Sequence, residues 1–239
     1  MSIHIQHAQT KRTYHLHAIP PSKYIGVGEG EPYEIVIGNE RGRKAGVRIT
    51  IDGIDILTGK PGDLDPRGQM WMVEPHSSAT ISAWPESSSE GAQFVFGRAS
   101  NAVATHIGDG TNVGIIACAY FRDGYEEEAV FRSGTVLRGG ATRGGLESMG
   151  TGAGSTIAQD IRTVRGFREP EYTGVIEVIH YTDRATLRTM IDAYASAGAA
   201  STWRIPGFPG ASPRTPPIGI SLGSTPRVVT AAPADPWFD

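Results

Sequence analysis

The run from Tyr33 to Phe121 most constrains what this chain can fold into, because it repeats one pattern many times. Apolar residues alternate with polar ones over short stretches, and Gly, Pro, Asn or Asp punctuates the stretches every few residues. "YEIVIGN" (33–39), "VRITIDG" (47–53), "QMWMVEP" (69–75), "ATISAWP" (79–85), "AQFVFGR" (92–98) and "VGIIACAYF" (113–121) make up the series. A period of two sends successive side chains to opposite faces of a strand. Several such strands without helical periodicity predict a mainly β protein, an antiparallel, jelly-roll-like β-sandwich. "VGIIACAYF" is apolar almost throughout and reads as a central strand.

The flanking segments differ in kind. Residues 1–24 alternate as an N-terminal strand or arm, and 25–133 hold the sandwich body. Residues 134–155 carry eight glycines, and 134–170 reads as a Gly-rich extended loop. Within 171–198, "GVIEVIHY" (174–181) is a strand. After it Leu187, Met190, Ile191 and Tyr194 mark one helix face, with Thr182 or Asp183 as cap and Gly198 as stop. That amphipathic helix is expected to pack on the sandwich or cover an open edge.

Residues 199–239 form a Pro-rich C-terminal arm, since the prolines forbid a helix or a central strand through it. Its apolar anchors are the candidate partner-binding residues: Trp203, Ile205, Phe208, Ile218, Ile220, Leu222, Trp237 and Phe238. Such an arm is expected to lie on its own domain or on a neighbouring subunit.

Charge and cysteine usage narrow the function. A formal charge of −3 offers no basic field for nucleic acid phosphates, so direct nucleic-acid binding is not expected. The single cysteine, Cys118, lies inside "GIIACAY" and reads as a small buried hydrophobe. No signal peptide is visible and no run approaches the ~20 apolar residues of a membrane span, so a soluble protein made in a cytoplasm is expected.

The stretch "ITIDGIDILTGKPGD" (49–63) is the first candidate for chemistry, with Asp52, Asp55, Asp63 and the nearby Asp65 around a Gly59-Lys60 pair. A P-loop needs Ser or Thr after the lysine and then a helix, but Pro61 follows here. The aspartate spacing does not match an EF-hand loop, although an irregular calcium site is an alternative. The economical reading is a hairpin turn at Asp52-Gly53 and a second turn with its corner at Pro61-Gly62. The aspartates then face solvent or cap turns.

"GTGAGS" (150–155) follows no strand pattern, so its glycines suggest close approach of another chain instead of a dinucleotide site. His15 and His17 would share a face, but no third ligand is spaced for a metal. "YEEEAVF" (125–131) reads as a solvated edge, and no nucleophile motif appears. No cofactor, metal or catalytic residue is expected.

Taken in order, "YEIVIGNERGRKAGVRITIDGIDILTGKPGD", "VEPHSSATISAWPESSSEGAQFVFG", "NVGIIACAYF", "GTGAG" and "VIEVIHYTDRATLRTMI" resemble a family of β-rich proteins from proteobacteria and their tailed phages. The likeness covers roughly residues 14–195 and carries no catalytic motif. It implies a virion protein, in particular a head-associated decoration or cement protein on the capsid surface. Its partners would be the major capsid protein and further copies of itself. The competing expectation is a bacterial sandwich module that binds a glycan or protein, with Trp71, Trp84 and Trp203 lining a groove.

Overall fold

The computed structural model describes residues 1–107, 112–124 and 149–200. The arm anchors from Trp203 to Phe238, the acidic run 125–131 and the glycines of 134–148 lie outside the described residues. The chain divides into two compact units, Met1–Arg188 and Thr189–Asp239, and the second is described through Ala200 as the continuation of a helix.

The fold is mainly β, with strands β1 (Ser2–His7), β2 (His17–Ile19), β3 (Ser22–Val27), β4 (Tyr33–Asn39), β5 (Ala45–Ile51), β6 (Ile54–Asp55) and β7 (Trp71–Val73) in its first part. There follow β8 (Ser77–Ile81), β9 (Ala83–Pro85), β10 (Glu90–Arg98), β11 (Ile115–Asp123), β12 (Met149–Ala158) and β13 (Pro170–Asp183). A short helix α1 (Val103–Ile107) precedes β11, and α2 (Arg184–Ala200) follows β13.

One layer is a seven-stranded sheet in the order β2-β3-β13-β11-β5-β6, with β7 pairing the other half of the β5 edge. Its ladders are antiparallel except β13 with β3, which run parallel. The second layer combines two three-stranded sheets, β1-β4-β8 and β12-β10-β9. They are stitched by a Pro32–Val95 bridge and by the Phe94 N–H donating to the Ser82 carbonyl (3.0 Å).

The period-two pattern explains which face each strand buries. Tyr33, Ile35 and Ile37 on β4 face Val47, Ile49 and Ile51 on β5 within one core, and Ile116, Cys118 and Tyr120 on β11 lie opposite the β5 residues. Each fully buried side chain of this size contributes about 1.5–3 kcal/mol from apolar burial. β11 has β13 on one side and β5 on the other, so "VGIIACAYF" is a central strand as its composition indicates.

Four expectations change. The N-terminal segment contains a strand as its alternation indicates, but that strand belongs to the body: β1 pairs β4 over its whole length and buries Ile5. The Gly-rich loop does not extend across 134–170, since Met149–Ala158 is strand β12, paired with β10. The glycines at 150 and 154 accommodate close approach from the same chain. A Cβ on Gly150 would lie 2.5 Å from Ala102 Cβ, and one on Gly154 2.5 Å from Val95 Cγ2. Finally, α2 runs through Gly198 to Ala200.

Asp183 caps α2 by accepting from the Thr186 N–H at 2.8 Å. Leu187 is completely buried, and Gly26 on β3 leaves the room that Leu187 and Arg184 occupy. The first turn of the helix is thereby seated on the sandwich, while Tyr194 is exposed.

Candidate functional site

The acidic stretch is a hairpin whose tip is folded into the protein. Asp52 and Gly53 have φ of 55° and 85°, and Ile51 pairs with Ile54 across them. Two successive left-handed residues form the two-residue turn that matches strand twist, and Asp and Gly tolerate that conformation best. The turn is therefore where the dipeptide places it.

The fate of the Asp52 carboxylate differs from the expectation of a solvent-facing or turn-capping group. Asp52 is 1% exposed. Its Oδ1 accepts from the Gly114 N–H (2.9 Å) and the Tyr181 hydroxyl (2.6 Å), and Oδ2 accepts from the Thr151 N–H (2.8 Å). The Thr151 hydroxyl lies 2.8 Å from both the Tyr181 and Tyr33 hydroxyls. This chain of polar groups joins β5, β13, β12 and β4, and so ties one layer of the sandwich to the other. Tyr33 is stacked on Phe96 with centroids 3.9 Å apart, which holds its hydroxyl in place.

Burial pushes the Asp52 carboxyl above its ordinary range, while the hydroxyl of Tyr181 and the surrounding N–H donors pull it back. Burial, with the Asp52 charge behind it, also raises Tyr181 well above a normal phenol. Neither phenol is poised to ionise, and the network acts as a brace.

The other aspartates organise the loop after β6. Asp55 Oδ1 accepts from the Leu57 and Thr58 N–H groups at 2.9 and 3.0 Å, and its Oδ2 accepts from Arg48 Nε at 3.3 Å. Arg48 also donates to the Asp63 carboxylate and to the Asp65 carbonyl (3.2 Å). Asp63 and Asp65 cap the Asp65 and Arg67 N–H groups at 2.8 and 3.0 Å. The Asp65 N–H and then Arg48 hold the Asp63 carboxyl below the usual carboxylate range.

The second turn spans 56–60 and not Pro61-Gly62: Gly59, at φ 65°, donates to the Asp55 carbonyl, and Pro61 already bridges back to Ile54. Among the described residues, no three His, Cys, Asp or Glu side chains gather in a way that could hold a metal ion.

Arg48 was hidden among the polar positions of β5. The hairpin register places Thr50 opposite Asp55, so Arg48 is the diagonal neighbour of Asp55 on the same face. That signal is present in the sequence once the turn is located. Tyr33, Thr151 and Tyr181 carry no comparable signal, because they are 118 and 30 residues apart along the chain.

On the outer face of the seven-stranded sheet lies an open groove of about 260 Å³. Thr50, Ala117, Ala119 and Ile176 line it from neighbouring strands of the sheet, together with Arg48, Asp63 and Leu64. Its size is below the roughly 300–1,000 Å³ of small-molecule sites, so it suits one or two apolar side chains.

Cys118 is fully buried, and burial together with Glu177 raises its thiol pKa. Trp71 and Trp84 are partly buried and packed against the core, and Trp203 lies outside the described residues. His15 and His17 do share a side, with ring centroids 4.5 Å apart. No helix among the described residues is long and apolar enough to cross a membrane.

No family model, curated protein or solved structure matches the chain.

Proposed function

We propose that the chain is a structural protein of a tailed-phage virion. In this reading it is a decoration or cement protein that stabilises the head by binding the major capsid protein and neighbouring copies of itself. It is made in the bacterial cytoplasm, resides on the capsid surface and catalyses no reaction. One observation carries the reading: the richest group of titratable side chains braces the fold. Asp52 is committed to Gly114, Thr151 and Tyr181, and Asp55 and Asp63 to Arg48 and loop amides. A braced sandwich suits a protein whose work is binding.

The composition of residues 199–239 and the family resemblance support the same reading. An extended arm gains surface on assembly and bears its ordering cost only then. A protein that binds the closed shell and not the opened one stabilises the shell by mass action. Heads prepared without this protein should bind the purified full-length chain saturably and resist heat better. A variant ending at Ala200 should lose that binding, with circular dichroism as the check on folding. Failure of the chain to bind heads, together with its absence from particles, refutes the proposal.

The groove favours a second reading, a sandwich binding module for a glycan or protein. Filling the groove with Ala119→Trp should then abolish binding in a glycan or peptide array. No array signal for the unaltered chain removes this reading.

A further inference from the structure

The middle of the seven-stranded sheet is apolar on both faces. On β11, Ile116, Cys118 and Tyr120 enter the core, while Ile115, Ala117 and Ala119 alternate to the outer face. Beside Ala117 and Ala119 on β13 stand Val178 and Ile176. In an antiparallel sandwich the outward face is ordinarily polar, and a strand apolar on both faces is one that is covered on both. Here the outer face holds the open groove, and Ile176 and Leu64 beside it are 46% and 44% exposed. Apolar surface of that kind, gathered in one place, marks an interface.

We propose that this groove receives the C-terminal arm of a second copy of the chain, through Ile218, Ile220 and Leu222. The inference rests on the reading above only for the claim that copies associate, and it names where one copy holds the next. The arm's sequence supplies the fit. Ile218, Ile220 and Leu222 alternate with Gly219, Ser221 and Gly223, between Pro217 and Pro226. On extended chain the three apolar side chains project to one side, with glycine and serine on the other.

Lengths match as well. Extended chain from Ile218 to Leu222 covers about 13 Å, as does β11 from Ile115 to Ala119. The stretch from Ala200, where α2 ends, to Ile218 can extend to about 60 Å, enough to engage a neighbour. The flanking prolines restrict φ, so less freedom is lost when the segment is ordered. Charge favours the same pairing. Of the chain's 22 basic and 25 acidic residues, 201–232 hold Arg204, Arg214 and Arg227 and no acid. The arm is therefore positive over that stretch and the rest of each copy is negative, which draws an arm towards a neighbour's body.

The test is analytical ultracentrifugation of the purified full-length chain, without heads. The expected parent species is a dimer or larger. Ile176→Asp on the face and Ile220→Asp in the arm should each weaken self-association by about tenfold or more. Leu64→Asp is a second face variant, and circular dichroism checks that each variant is folded. Mixed together, Ile176→Asp and Ile220→Asp chains should form a heteromer, because the first keeps its arm and the second its groove. A monomeric parent chain overturns the proposal, and so does an arm that seats only in its own groove. Variants that self-associate like the parent, or a mixture that forms no heteromer, overturn it too. Any of these results with head binding intact leaves the virion reading standing. Self-association without head binding refutes the virion reading alone.

Discussion

Asp52→Asn tests the brace at its centre, because asparagine tolerates the same left-handed turn conformation and keeps the size of the side chain. The substitution leaves one amide oxygen, which can still accept from the Gly114 N–H and the Tyr181 hydroxyl. Its NH₂ then meets the Thr151 N–H, a donor against a donor, where the carboxylate accepted at 2.8 Å. A buried N–H without a partner costs about 1–3 kcal/mol, and the lost charge weakens the other two bonds. The expected loss is therefore about 2–4 kcal/mol. Asp52→Ala, which removes every acceptor, should lose about 3–5 kcal/mol. For a protein of this length each kcal/mol lowers Tm by about 2–4 °C.

Urea denaturation and calorimetry of the full-length variants measure the difference. A loss below about 0.5 kcal/mol for Asp52→Asn would refute the argument, since surface substitutions commonly stay within that range. The pH dependence supplies a second check. The Asp52 pKa is raised in the folded protein, so the folded state holds the proton more tightly than the unfolded state. That contribution is fully present below the ordinary carboxylate pKa and is lost as pH rises through the folded value. The stability gap between the parent chain and Asp52→Asn should narrow across that window and level off above it.

Three further outcomes follow from the described contacts. Cys118 should not react with a thiol reagent in the native protein and should react fully in urea, because the thiol is enclosed and its pKa is raised by burial. Leu187→Ala should cost about 2–5 kcal/mol and speed amide exchange in the first turn of α2, since Leu187 is the buried seat of that turn. Burial pulls Glu31 up, but bonds from Arg184, the Gly28 N–H and Tyr14 outweigh it and hold the carboxyl below its ordinary value. That stability is present above the unfolded pKa and is lost as pH falls through the folded one. Arg184→Met should therefore flatten the acid limb of the stability profile, and an unaltered limb contradicts the assignment.

The elements whose causes are local were legible in the chain itself. Alternating apolar residues identified β4, β5, β10 and β11, and the apolar run of β11 marked it as central. Asp52-Gly53 located a hairpin turn, and Thr182-Asp183 a helix start that Asp183 caps, because each acts on atoms within a few residues. What depends on distant partners was not legible. Glycines at 150 and 154 suggest a loop by composition, yet pairing with β10 makes them part of a strand, where a Cβ at either would meet a neighbouring side chain at 2.5 Å.

The same physics divides the acidic hairpin. Its turn follows from two residues whose backbones accept a left-handed conformation, so the sequence by itself determined it. Whether Asp52 faces water or the core was decided only by tertiary structure. A carboxylate enters the interior only where donors await it, and here they come from Gly114, Thr151 and Tyr181, which are 62, 99 and 129 residues away.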